Sequence, residues 1–96
     1  MKNHKINAAI QLLPIEAKTK RWEIIDKAIE LIKNSGLNFK VTPFETVVEG
    51  TMEQVMKLIS DIKENTLSEN CPEIIINVKI HAATRDLSFS EKLEKY

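Results

Sequence analysis

The sequence predicts an α+β sandwich with four antiparallel strands and two helices in the order βαββαβ. Three observations carry this reading. Four short stretches alternate apolar and polar residues at the strand period, and two longer ones repeat apolar residues at the helical period. Each helical stretch lies between strands, where a crossover needs it, and Pro43-Phe44 makes a turn between the middle strands.

The first strand spans Ile6 to Leu13, with Ile6, Ala8, Ile10 and Leu12 on one side and Asn7, Ala9, Gln11 and Leu13 on the other. Pro14 has no N–H to donate and ends the ladder. From about Lys18 to Ser35 the period is helical, and Trp22, Ile25, Ile29 and Ile32 share a face with Ala28 beside them. Gly36 suits the left-handed position after the helix. Asn38 to Thr42 and Glu45 to Glu49 are the second and third strands. Thr51-Met52-Glu53-Gln54 fits a capping box, in which hydroxyl and carboxamide reciprocally bond backbone amides. The second helix follows to about Glu64, with a stripe of Met52, Val55, Met56, Ile59 and Ile62. Ile74 to Ala82 is the fourth strand, and Ser88 or Ser90 can cap a short helix ending near Leu93.

This order is the ferredoxin-like split unit, with expected strand order 4-1-3-2 and both main helices on one face. Alternation then leaves the other face to Asn7, Ala9, Gln11, Lys40, Thr42, Glu45, Val47, Glu49, Ile75, Asn77, Lys79 and His81. Such a mixed, helix-free face is suited to packing against a second copy of the chain. Where it is not packed, Gln11, Thr42, Glu45 and Glu49 are placed to line a polar pocket.

The 96 residues suffice for one domain, 1–96, and 43% are apolar, enough for one core. Fourteen basic residues balance fourteen acidic ones, and only Arg21 and Arg85 are arginine, which argues against nucleic acid as the main partner. No apolar run has the length of a membrane span, and residues 1–6 lack the apolar core of a secretory signal, so a cytoplasmic location is expected. Two glycines cannot build a glycine-rich phosphate loop, and the single Cys71 excludes an intramolecular disulfide.

At Gln11-Leu12-Leu13-Pro14 and Thr42-Pro43-Phe44-Glu45-Thr46-Val47-Val48-Glu49-Gly50 the sequence resembles the small thiamine-binding proteins of the YkoF-like superfamily, also catalogued as DUF77 or UPF0045. Residues 32–39 and the tail from Leu87 to Leu93 match as well. The resemblance implies binding of thiamine or its hydroxymethylpyrimidine moiety without turnover, no cofactor, and assembly into dimers or tetramers through the sheets. The expected ligand contacts are Gln11, Thr42, Phe44, Glu45, Thr46 and Glu49, near a subunit interface. Their chemistry fits an aminopyrimidine. A carboxamide such as Gln11 donates and accepts at once. A carboxylate such as Glu45 or Glu49 accepts from the exocyclic amine or holds a protonated ring nitrogen. Thr42 and Thr46 offer adaptable hydroxyls, and Phe44 a ring to stack.

A catalytic pairing of Glu45 with Glu49 is disfavoured, because four residues of extended strand separate them by roughly 13 Å, beyond the carboxyl spacing of about 5–9.5 Å used in glycoside hydrolysis. His4 and His81 read as surface residues and Cys71 as an inert thiol, leaving no metal constellation or nucleophile–base set. Trp22 and the helix-two methionines read as packing residues. The competing reading is an oligomeric regulatory or scaffold module with no small ligand, since this fold serves many functions.

Overall fold

The computed structural model describes residues 3–94. Its elements run β1 (Ile6–Pro14), α1 (Arg21–Asn34), β2 (Asn38–Val41), β3 (Thr46–Gly50), α2 (Met52–Thr66), β4 (Ile74–His81) and α3 (Phe89–Leu93). The strands form one antiparallel sheet in the order β2-β3-β1-β4, which is the expected order read from the other edge. Register follows alternation: Ala8 lies between Val48 and Ile80, and Ala9 between Val47 and Lys79. Pro14 joins β1 as its last paired residue, opposite Ile74, where the missing N–H costs no further ladder bond.

The core lies between the sheet and helices α1 and α2. Ile6, Ala8, Ile10 and Leu12 of β1 and Val48 of β3 meet Ile24, Ala28 and Ile32 of α1 and Val55, Leu58 and Ile62 of α2. Val48, Val55 and Ile62 are completely enclosed, and each contributes about 1.5–3 kcal/mol by leaving water. Thr66 is also enclosed, but its hydroxyl donates to the Ile62 carbonyl at 2.7 Å, so the burial leaves no unmet donor. Cys71 is a buried free thiol, held in a tight turn by reciprocal backbone bonds with Ser68.

The capping box at the start of α2 is present: Gln54 N donates to Thr51 Oγ1 at 3.2 Å and Thr51 N to Gln54 Oε1 at 3.0 Å. Gly36 has φ +80° and turns the chain out of α1.

Three expectations are corrected. Trp22 is 67% exposed, and α1 buries Ile24, Ala28 and Ile32 instead of a stripe led by Trp22 and Ile25. The helix begins at Arg21, three residues later than expected, and residues four apart then face the sheet. Met52 and Met56 lie exposed beside the buried line Val55, Leu58, Ile62.

The third correction bears on the open face, which is not free of helix. Ser88 caps α3 through a bond from Glu91 N at 3.2 Å, as the tail pattern suggested. The preceding segment is tied to the start of β1: Leu87 N donates to the Lys5 carbonyl at 3.0 Å, and Lys5 N to Asp86 Oδ1 at 2.7 Å. Leu87 is buried, and Phe89 N donates to the Glu49 carboxylate on the open face. The helix therefore covers part of the face that alternation leaves bare.

Candidate functional site

The β2–β3 hairpin is closed by Thr42. Its backbone N donates to the Glu45 carbonyl at 3.0 Å, its hydroxyl donates to that same oxygen at 2.6 Å, and Glu45 N donates back to the hydroxyl at 3.2 Å. Pro43 and Phe44 project beyond this closure, and the Phe44 ring is 82% exposed. The turn, the β1 segment Ile10–Leu13 and the α1 residues Ile25 and Ile29 enclose a cleft of about 250 Å³.

The pocket expected from the sequence lies on the face away from α1 and α2, whereas this cleft opens on the α1 side; Gln11, Thr42, Phe44, Glu45 and Thr46, five of the six expected contacts, are among its lining residues. They reach it differently. Thr46 faces the helices, 6% exposed, as alternation opposite to Glu45 requires. Gln11 accepts a bond from Asn77 Nδ2 at 3.3 Å, which leaves its own amide NH₂ to give. Glu45 lies 3.8 Å from Lys79 Nζ, a surface pair of small energetic weight that a ligand can displace. Thr42 has its proton committed to the turn and acts as its latch; one acceptor lone pair remains.

Glu49 stands apart. One of its oxygens accepts from Asn38 Nδ2 at 2.9 Å, and the other accepts from Phe89 N at the first turn of α3. It does not line the cleft, and its observed role is to anchor the C-terminal helix. Its sequence position, two residues after Val47 on the same face, gave no warning, because the bond closes across forty residues.

The cleft thus offers apolar walls, a hydroxyl, a carboxamide donor and a carboxylate near its mouth. Among the described residues no group of three or more His, Cys, Asp or Glu is placed to hold a metal, and no helix is long and apolar enough to cross a membrane. Sequence reasoning missed a second set of residues. Asn7 is buried on the open face, near Phe89 and Leu93 of α3, and among the described residues neither its amide nitrogen nor its oxygen has a partner. Only the placement of α3 reveals that set.

A family model for "Thiamine-binding protein" matches residues 8–96. The chain belongs to that family. It is 31% identical over 90 residues to a UPF0045 protein of Clostridium perfringens, covering 94% of this chain and 95% of that one. Among solved structures, the DUF77 domain from Bacillus cereus superposes with a TM-score of 0.90 at 27% identity, covering 98% of this chain and 91% of that one. A Thermotoga maritima protein provisionally assigned to thiamine biosynthesis or salvage superposes with a TM-score of 0.87 at 26% identity, covering 96% and 98%. Membership in the thiamine-binding family gives the ferredoxin-like fold and a thiamine-related role.

Proposed function

We propose that the chain binds thiamine through its hydroxymethylpyrimidine moiety, in the cleft between α1 and the β2–β3 hairpin, as a carrier, buffer or sensor that does not turn the ligand over. The observation that carries this reading is the gathering of Gln11, Thr42, Phe44, Glu45 and Thr46 around one cleft. Its volume of about 250 Å³ falls just below the range of roughly 300–1,000 Å³ typical of pockets for larger ligands, and suits one substituted ring. The aminopyrimidine then packs between Ile25 and Ile29 and the turn, with the Thr46 hydroxyl meeting its polar edge. The cationic thiazolium points outward, where the Glu45 carboxylate attracts it.

Titration calorimetry with thiamine and with hydroxymethylpyrimidine tests the proposal. Both are expected to bind, and Thr46→Val is expected to weaken both about tenfold, the value of one hydrogen bond in a closed site. Glu49→Gln is expected to leave binding unchanged. Absence of heat from folded protein at about 1 mM of either ligand would sink the idea.

Self-association is the companion reading, and one observation favours it. β4 is an edge strand of eight residues whose Ile75 lies 47% exposed on the open face, a surface suited to a second copy of the chain. Light scattering at micromolar concentration is expected to give a dimer or tetramer, and a monomer would refute it. An oligomer that takes up neither ligand would favour the scaffold reading.

A further inference from the structure

The sheet has two edges. β2 offers four residues and β4 eight, and β4 pairs with β1 without a bulge, from His81 opposite Asn7 to Ile74 opposite Pro14. No proline interrupts it. A long, regular edge presents a row of N–H and C=O groups to any strand that can lie beside it.

The helix-side flank of the β4 edge is apolar. Ile80 pairs with the buried Ala8 and so points to the side of the helices, yet it is 41% exposed. The hairpin cleft sets α1 beside β2 and β3, which leaves α2 toward β4. On α2, Gln54, Leu58 and Asp61 line the groove against α1. The helical period then turns Met52, Met56 and Ile59 the other way, over the β4 side. Met52 is exposed, Met56 is 51% exposed, and Ile59 is only partly buried. On the opposite face, α3 and the apolar cavity of about 260 Å³ beneath it lie against Asn7, Val47 and Lys40 and leave β4 clear.

We propose that this edge and its α2 flank dock a second copy of the chain, whose own β4 pairs antiparallel about a two-fold axis through Asn77. The proposal rests on the self-association reading and names its surface. Self-complementarity selects the occupant. Alternate residues of an edge strand point their N–H and C=O outward, so a two-fold pairing matches residues of the same parity. With Asn77 on the axis, Ile76 meets Val78 and Ile74 meets Ile80 on the helix side. On the other side the stem of Lys79 covers Ile75, and Glu73 meets His81, an acceptor opposite a donor. Two carboxamides face each other at the centre, each able to donate and accept. Every contact is made twice, as an isologous interface requires. The unbranched methionines adapt to the side chains of the incoming strand.

Cross-linking reads the register. Asn77→Cys is expected to join two chains through a short bis-maleimide, because residues on the axis lie about 4.5–5.5 Å apart at Cβ. Ile75→Cys is expected not to, since its counterpart in the other copy is four residues along the strand, roughly 13 Å away. The native chain, whose Cys71 is buried, is the control. Met56→Lys/Ile80→Lys replaces two exposed residues and is expected to keep a native circular-dichroism spectrum. In sedimentation velocity it is expected to associate at least about tenfold more weakly, because two ammonium groups enter an apolar contact. Its thiamine binding is expected to stay native, as neither residue lines the hairpin cleft. A native dimer that Asn77→Cys does not cross-link, that Ile75→Cys cross-links as readily, or that the double lysine variant leaves unweakened overturns this edge and assigns self-association to another surface. A native monomer at micromolar concentration overturns both.

Discussion

Replacing Glu49 by alanine should release α3 from the sheet while leaving the main fold intact. The carboxylate accepts two bonds of unequal weight. Asn38 is exposed, so its amide returns to water at little cost when the acceptor is lost. Phe89 N is part-buried, and its bond is to a charged acceptor, a class worth about 1.5–3 kcal/mol. Partial exposure screens that figure, and about 1–2 kcal/mol is a reasonable value for the released helix. Opening of α3 should then rise by about 5- to 30-fold. The bonds of Leu87 to Lys5 and of Lys5 to Asp86 persist, so the loss stops short of residue 87. Hydrogen exchange by NMR reads this directly at the Phe89 and Glu94 amides, the latter bonded to the Ser90 carbonyl at 3.0 Å. Unchanged exchange at these two amides in Glu49→Ala would refute the anchoring role. Equal acceleration throughout the core would show instead that Glu49 supports the whole fold.

Thr51→Ala removes one half of the capping box and should cost about 1 kcal/mol, or a fall in melting temperature of about 4–8 °C for a domain of this size by differential scanning calorimetry. Gly36→Ala meets no atom within 4 Å, so its cost is confined to holding φ at +80°; about 1–2 kcal/mol is expected by urea denaturation, with Gly36→Asn costing less.

The sheet was legible because strand alternation leaves little freedom. Once Ile6, Ala8, Ile10 and Leu12 face the helices, Asn7 and Gln11 must face the other way; the register that sets Ala9 between Val47 and Lys79 is added by the structure, since a two-residue slip would keep every face. The capping box and the glycine after α1 were legible for the same reason: their chemistry is complete within a few residues. The phase of α1 was not. Residues 22, 24, 25, 28, 29, 31 and 32 are all apolar and spread over more than half of the helix, so several stripes fit the pattern. Packing against β1 and α2 selects Ile24, Ala28 and Ile32. Within the candidate site, the hairpin residues came together because they are neighbours in sequence, and Gln11 joined them through sheet order. Glu49 was drawn away by a partner forty residues later. The buried amide of Asn7 was hidden because its burial is created by α3, which local pattern places as a helix but not on a face.

Thr42 lines both the hairpin cleft and the cavity under α3, and its hydroxyl is the latch of the turn between β2 and β3. One residue is thus a party wall between two chambers. A guest that shifts this wall from one side alters the free energy of filling the other, and linkage requires that influence to be equal in both directions. On so small a domain, a change at this one threonine at the end of the hairpin touches both chambers.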